Sequence, residues 1–342
     1  MTTGRGPPRP VGRRGVLAGA AALPLVAIGR RSAAAAFTYR LATTQEPAHP
    51  VSRRAQLALD RIRVATGGQL DITLLASGQI GTDAELLAQV QTGGVEFCSI
   101  ATSTLARAVP LAGIVNTGFA FADYAAVWRA MDGALGAELR DRINKTAMVP
   151  VCRFTDSGFR HITTAAHPVR TPDDLRGLRL RVPPASRLAA LFGALGAVPV
   201  PLDLGALFAA LQNQTVDAQE NQLAVIDAER LYEVQTWCAM TGHVWDGNCI
   251  LGNRRAWLRL PPALRDLVTH ELDRTADDER TDIDRLWVSL RQELTAKGMR
   301  FNDVDRGAFR AALARSRYYA DTKAMYGTAA WALLEQAVGK LG

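Results

Sequence analysis

Phe37-Thr38-Tyr39-Arg40-Leu41-Ala42 alternates apolar and polar side chains, the period of a half-buried strand. Val51 to Thr66 follows with apolar Leu57, Ile62 and Val64 on a helical pattern, closed by Gly67-Gly68. Leu70-Asp71-Ile72-Thr73-Leu74 then alternates again. A strand, a helix and a second strand in succession predict an α/β architecture with parallel strands.

The pattern continues outward from there. Thr82-Asp83-Ala84-Glu85 is a capping box, and Gly93-Gly94 stops the helix it opens. Further strands are predicted over Val95–Ile100, Met148–Phe154, Leu178–Val182, Val198–Val200 and from Thr215 to Asn221. Helices are predicted over Asp123–Lys145, over Ser186–Leu195 and from an Asp203 cap through Leu211. Thr171-Pro172-Asp173-Asp174 is another helix start. After Pro261-Pro262 the pattern is helical to Lys297, a rod of about 54 Å that outruns a single domain. From Arg306 to the end it is helical again.

Composition narrows the function classes. The chain has 342 residues, 48% hydrophobic and 21% charged, which is globular and long enough for two domains. Its net charge of +7 resembles that of a nucleic-acid binder. Six arginines and no acidic residue in residues 1–36 account for all but one unit of that charge. The body is nearly neutral and carries no basic run, which excludes a nucleic-acid partner.

Those first residues read as a twin-arginine export signal. Arg13-Arg14 precedes an apolar run from Val16 to Ile28, too short to span a bilayer, and Ala34-Ala35-Ala36 fits a cleavage site near Ala36. The expected location is periplasmic. Cys98 and Cys152 sit in apolar runs and read as buried thiols, while a Cys238–Cys249 bridge stays open. No GxSxG, HExxH or P-loop is present, and the five histidines are scattered, so no enzyme, metal site or cofactor is indicated.

Arginines at strand ends stand out instead. In open α/β sheets, ligands sit beyond the carboxyl ends of strands. Arg181 is one residue from the end of its strand, before Pro183-Pro184. Arg160, in Gly158-Phe159-Arg160, follows the Met148–Phe154 strand by a short loop. A guanidinium offers a bidentate fork that matches a carboxylate. The competing reading of each is a solvated surface charge.

Six strings in register resemble the DctP-type solute-binding proteins of TRAP transporters. They are Gly158-Phe159-Arg160-His161, the run from Thr171 to Pro183, Val216-Asp217-Ala218-Gln219-Glu220-Asn221, Gly78-Gln79-Ile80-Gly81, Tyr232-Glu233-Val234-Gln235 and Thr241-Gly242-His243-Val244. The His49-Pro50-Val51 start also fits. The resemblance implies a two-lobed, type II-like α/β fold with a hinge and a long helix spanning both lobes. It implies lobe I over 37–158 plus about 247–286, and lobe II over 159–246 plus about 287–342. It also implies that the protein binds an organic acid and delivers it to the permease membrane subunits. Arg181 matches the family's carboxylate-clamping arginine, Arg160 a second arginine and Asn221 an asparagine at the same ligand; the competing readings are hinge salt bridges for the arginines and a turn-forming asparagine. Thr102, Phe208, Trp245 and Gln45 are further pocket candidates, Phe208 fitting a core role equally well.

The chain departs from the family pattern at Ala218, Gln222, Ala206 and Leu204, where Gly, Pro, an acidic residue and an aromatic are usual. A less polar wall at these positions would suit a bulkier or more apolar acid. Two other readings are a ligand-sensing adaptor for a membrane kinase and an enzyme exported by the twin-arginine route.

Overall fold

The computed structural model describes residues 35–184 and 187–342; the leader lies outside them apart from Ala35 and Ala36. The strands are β1 (Phe37–Thr43), β2 (Leu70–Leu75), β3 (Phe97–Ala101), β4 (Met148–Pro150), β5 (Thr155–Phe159) and β6 (His161–Thr164). They continue with β7 (Arg179–Val182), β8 (Val198–Pro201), β9 (Ala218–Asn221), β10 (Trp237–Ala239), β11 (Trp245–Asn253) and β12 (Arg300–Asn302). They form two sheets, ordered β2-β1-β3-β11-β4 with β5 also on β11, and β12-β10-β6-β9-β7-β8. The opening strands β1 and β2 pair in parallel, Phe37 opposite Leu70, as their pattern required.

Helix Pro50–Ala65 buries only one of the three apolar residues that mark its expected face, Ile62. Val51, Ala55, Ala58, Leu59 and Ile62 are buried, while Leu57 and Val64 are exposed. Ala55 and Ala58, one turn apart, lie on the buried face that meets the sheet and helix Pro262–Ala296. The capping box at Thr82 forms, with Thr82 N donating to Glu85 Oε2 at 2.7 Å, and Gly93 closes that helix in the left-handed region.

Three expected elements are divided differently. The stretch Asp123–Lys145 is two helices, Tyr124–Met131 and Ala134–Asn144. The break falls at Gly133, where a Cβ would stand 2.4 Å from the Arg129 carbonyl oxygen. Met148–Phe154 is not one strand. Pro150 pairs with Leu251 and Thr155 with Asn248, so residues 151–154 bulge out opposite Cys249 and Ile250. Within the bulge, Arg153 N donates to Asp273 Oδ1 on the long helix at 2.7 Å. Asp203 stands at the start of a short 3-10 turn, but its side chain makes no capping bond.

The two sheets form two lobes joined by crossing segments. Arg160 is the single residue between β5 in the first sheet and β6 in the second. Residues 240–244 return the chain from β10 to β11. The two crossings are tied together: Arg160 N donates to Val244 O at 3.0 Å and His243 N to Arg160 O at 3.3 Å. Helix Pro262–Ala296 bridges both lobes. Its Leu264, Val268 and Leu272 share a core with Tyr39 and Ile72, and its Leu290 and Leu294 share one with Cys238 and Leu207. The last helix, Thr328–Val338, packs on Tyr124–Met131 and Ala134–Asn144, where Arg129 Nη1 donates to Ala337 O at 2.9 Å.

All four cysteines are free and buried, with Cys238 on the second sheet and Cys249 on the first. Burial pushes every one of their thiols above the ordinary value, Cys152 and Cys238 to about 12. Among the described residues no helix is long and apolar enough to cross a membrane.

Candidate functional site

The crossing segments floor two adjoining cavities, of about 210 and 710 Å³. Both are lined by Ser103, Thr104, Arg160 and Asp246. The smaller one extends to Gln45, Asp83, Asp156, Asn248 and Trp287, and the larger one to Arg107, Arg187 and Pro183-Pro184. One end of the cleft is therefore acidic and the other basic.

Arg160 reaches both cavities from the crossing. Its Nη2 donates to Glu220 Oε1 at 2.7 Å and to Asn221 Oδ1 at 2.8 Å, and its Nη1 to Gln222 Oε1 at 2.9 Å. Glu220 is fully buried and also holds His243 Nε2 at 3.1 Å. Burial alone would raise the Glu220 carboxyl, but the charge of Arg160 and the bonds from His243 and Arg160 outweigh it and hold the group below the ordinary range. Burial lowers His243 below the usual imidazole value despite that contact.

Arg181 lies one strand over, opposite Gln219 across the β7–β9 pairing. It is 2% exposed, and its Nε donates to Leu202 O at 2.7 Å. Among the described residues no carboxylate lies within ion-pair distance of its Nη groups. Burial lowers its pKa from the usual arginine value, and Glu220 offsets part of that. Arg181 is not among the residues lining the two cavities, but its strand runs directly into Pro183-Pro184, which line the larger one.

The structure thus gathers Arg160, Asn221 and Arg181 around Glu220 and sets Gln45 across the smaller cavity. Asn221 faces Arg160 with its oxygen and gives its Nδ2 to Gln219 Oε1 at 2.8 Å. Two further candidates stand behind carboxylates. Thr102 Oγ1 donates to Asp246 Oδ1 at 2.6 Å, and the fully buried Trp245 donates from its indole to Asp156 Oδ1 at 2.7 Å. Phe208 is apart from them, packed against the core that holds Leu207 and Cys238. Of the departures from the family pattern, Gln222 lines the cavity and bonds Arg160, whereas Leu204 and Ala206 are exposed on a surface turn. Leu204 and Ala206 therefore form no part of a cleft wall, and the apolar lining of the larger cavity comes from Pro183, Pro184, Leu188 and Val244 instead.

Sequence reasoning missed Asp246, Asp156, Asn248, Arg107, Arg187 and Trp287. Gly158, in the left-handed region at φ +102°, is the one local signal. A Cβ there would stand 2.3 Å from the Trp287 ring, so the glycine lets that indole lie against the chain just before Arg160.

A model of the bacterial extracellular solute-binding protein family 7, DctP, matches residues 41–321. The C4-dicarboxylate-binding protein DctB of Bacillus subtilis is 30% identical over 232 residues, 68% of this chain and 66% of that protein. A Sinorhizobium fredii protein, y4mM, is 31% identical over 72% of this chain and 46% of its own length, so the chain spans less than two thirds of both relatives. A TRAP periplasmic solute-binding protein from Ochrobactrum anthropi, with a C-terminus bound in its ligand-binding pocket, superposes with a TM-score of 0.84 at 26% identity, over 89% of this chain and 95% of that one. One from Polaromonas bound to D-erythronate gives 0.80 at 26% identity, over 89% and 99%.

Proposed function

We propose, from the premise that this chain belongs to the DctP family of bacterial extracellular solute-binding proteins, that it captures an organic acid between its lobes and hands it to the membrane subunits of a TRAP permease. Its relatives include proteins that bind C4-dicarboxylates and D-erythronate, acids that share a carboxylate and little else. The residues 1–36 act in this reading as a twin-arginine export signal, and the chain works outside the cytoplasm as a binding protein rather than as an enzyme.

The observation that carries the reading is Arg181. A guanidinium 2% exposed and without a carboxylate partner is costly, by several kcal/mol on the scale of buried charges. A ligand carboxylate offsets that with two parallel charge-assisted hydrogen bonds. Arg160 contributes the one donor on Nη1 that Gln222 does not use, and Asn221 keeps Arg160 aimed. Gln45 meets the ligand from the first lobe, while Thr102 and Trp245 act through Asp246 and Asp156. Because these groups come from both sheets, only the closed arrangement satisfies them together, and few residues at the crossings need to turn.

A thermal-shift screen of the purified chain against a panel of organic acids tests this. Ligand at 100 times its Kd adds about 2.7 kcal/mol, a shift of several degrees. The expected result is a stabilising acid whose effect disappears in Arg181→Ala. A panel in which no acid stabilises the wild type defeats the reading.

A further inference from the structure

The carboxylate reading leaves the acidic end of the cleft unexplained. Resting on that reading, we propose that the ligand is an acid whose far end carries a protonated amine, seated in the smaller cavity among Asp83, Asp156 and Asp246.

The wall of that cavity accepts hydrogen bonds and lacks a cation to match. Asn248 is the clearest case. It is 7% exposed, gives its Nδ2 to Ser99 Oγ at 2.7 Å, and among the described residues its carbonyl oxygen receives no hydrogen bond. That oxygen belongs to a side chain lining the cavity. Asp246, at the junction of the two cavities, takes Thr102 Oγ1 and Ser103 N on one oxygen, the latter at 3.1 Å, and Ser103 Oγ on the other at 2.5 Å. Asp156 takes Trp245 Nε1 and Gly158 N on one oxygen and is also reached by the Tyr124 and Trp287 side chains. Asp83 takes the Thr44 hydroxyl at 2.7 Å. All three carboxylates are fixed in place, and Asp83 and Asp246 still have lone pairs to offer.

Charge points the same way. Arg160 is the only cationic side chain other than His49 among those lining this cavity, and Glu220 already balances it from behind. Burial lowers His49 to about 4, so it is neutral near pH 7. Three carboxylates are left over. Burial raises Asp83, and raises Asp156 to about 6, so both sit in surroundings that favour a nearby positive charge. Trp287 adds an aromatic face of the kind that attracts a cation.

A bare metal ion is not the match. Among the described residues no three His, Cys, Asp or Glu side chains converge as ligands for one. An ammonium has three donors and a charge that one or two carboxylates and the Asn248 oxygen can match, without the three-ligand convergence a metal demands. A hydroxyl also donates, but it leaves the charge unbalanced. At the other end, Arg107 and Arg187 join Arg160 around the larger cavity, beside Pro183-Pro184, which follow the strand of Arg181.

The probes are ω-amino acids of four to eight carbons, the ω-hydroxy acids of the same lengths and the matching α,ω-dicarboxylates, each titrated into the purified chain by calorimetry. At least one amino acid should bind tenfold or more tightly than its hydroxy counterpart. Asp83→Asn keeps an acceptor for Thr44, and should weaken that amino acid about tenfold while leaving the hydroxy acid within threefold. Asp246→Asn should do the same if it folds. Hydroxy acids or dicarboxylates that bind as tightly as the amino acids overturn the proposal and leave the carboxylate reading standing. Failure of all three series also overturns it, and the broader acid screen then shows whether the carboxylate reading falls too.

Discussion

Arg160 and Glu220 meet side-on across the lobe crossing, with Nε 2.5 Å from one carboxylate oxygen and Nη2 2.7 Å from the other. Glu220 is wholly buried, so its charge has no water to fall back on. The pair spends most of the Arg160 fork before any ligand arrives, and the burden of anchoring an acid shifts to Arg181.

Arg181→Ala should therefore weaken binding of the acid by two to three orders of magnitude, the loss typical of breaking a desolvated charge pair. Arg181→Lys retains the charge without the planar fork and should weaken it by about tenfold. Calorimetric titration of both variants separates the charge from the geometry. Equal losses in the two would show that the fork alone matters.

Glu220→Gln should destabilise the apo protein by about 3–5 kcal/mol, because it leaves the Arg160 guanidinium without its counter-charge in a buried place. Urea unfolding of the variant measures this. A change below 1 kcal/mol would mean that Arg160 finds water when Glu220 is neutral.

Acid should weaken the fold through His161. Burial, reinforced by the charges of His243, Arg306, Arg291 and Arg160, lowers its pKa to about 3, against 6.5 when free. Between those values the unfolded chain binds a proton that the native one refuses. Stability from this group is thus complete above about 6.5 and declines as the pH falls toward 3, by about 1.4 kcal/mol per pH unit. His161→Asn can still accept the Gly242 N–H bond, and should flatten this part of the stability curve. An unchanged slope in the variant would assign the acid sensitivity elsewhere.

Gly158→Ala should cost about 2–4 kcal/mol, since the residue sits at φ +102° and its new methyl meets the Trp287 ring at 2.3 Å. The melting temperature of the variant reports it. Recovery in a Gly158→Ala, Trp287→Leu double variant would assign most of the loss to the clash.

Local pattern carried the opening of the fold. The alternation in Phe37–Ala42 and Leu70–Leu74, and the glycines after Thr66, are set by neighbours a few residues away. The packing face of helix Pro50–Ala65 was not legible in the same way. Leu57 and Val64 point outward, while Ala55, Ala58, Leu59 and Ile62 face the core, a choice set by where the sheet and the long helix lie. Arg160 was found by its neighbours in the string, but its place as the lone residue between two sheets was hidden, since β5 begins after a bulge that only the pairing to β11 creates.

The acidic wall was hidden for a related reason. All nine residues of β11 are buried, so Asp246 and Asn248 stand in a strand with no polar alternation to mark them. Their partners Thr102 and Ser99 lie more than 140 residues away in the chain. Arg160 and Arg181, by contrast, stood in short strings of sequence, whereas Arg107 and Arg187 at the same end of the cleft had none to mark them.

The buried thiols have a practical consequence. With all four cysteines inaccessible and their thiolates disfavoured, the native chain presents nothing for maleimide or nitroxide reagents to capture. Cysteines introduced at Val64 on the first lobe and Val198 on the second, both exposed, would be the sole points of attachment. The separation of two spin labels there would read the opening and shutting of the cleft directly, in a protein whose own sulfur atoms need no removal.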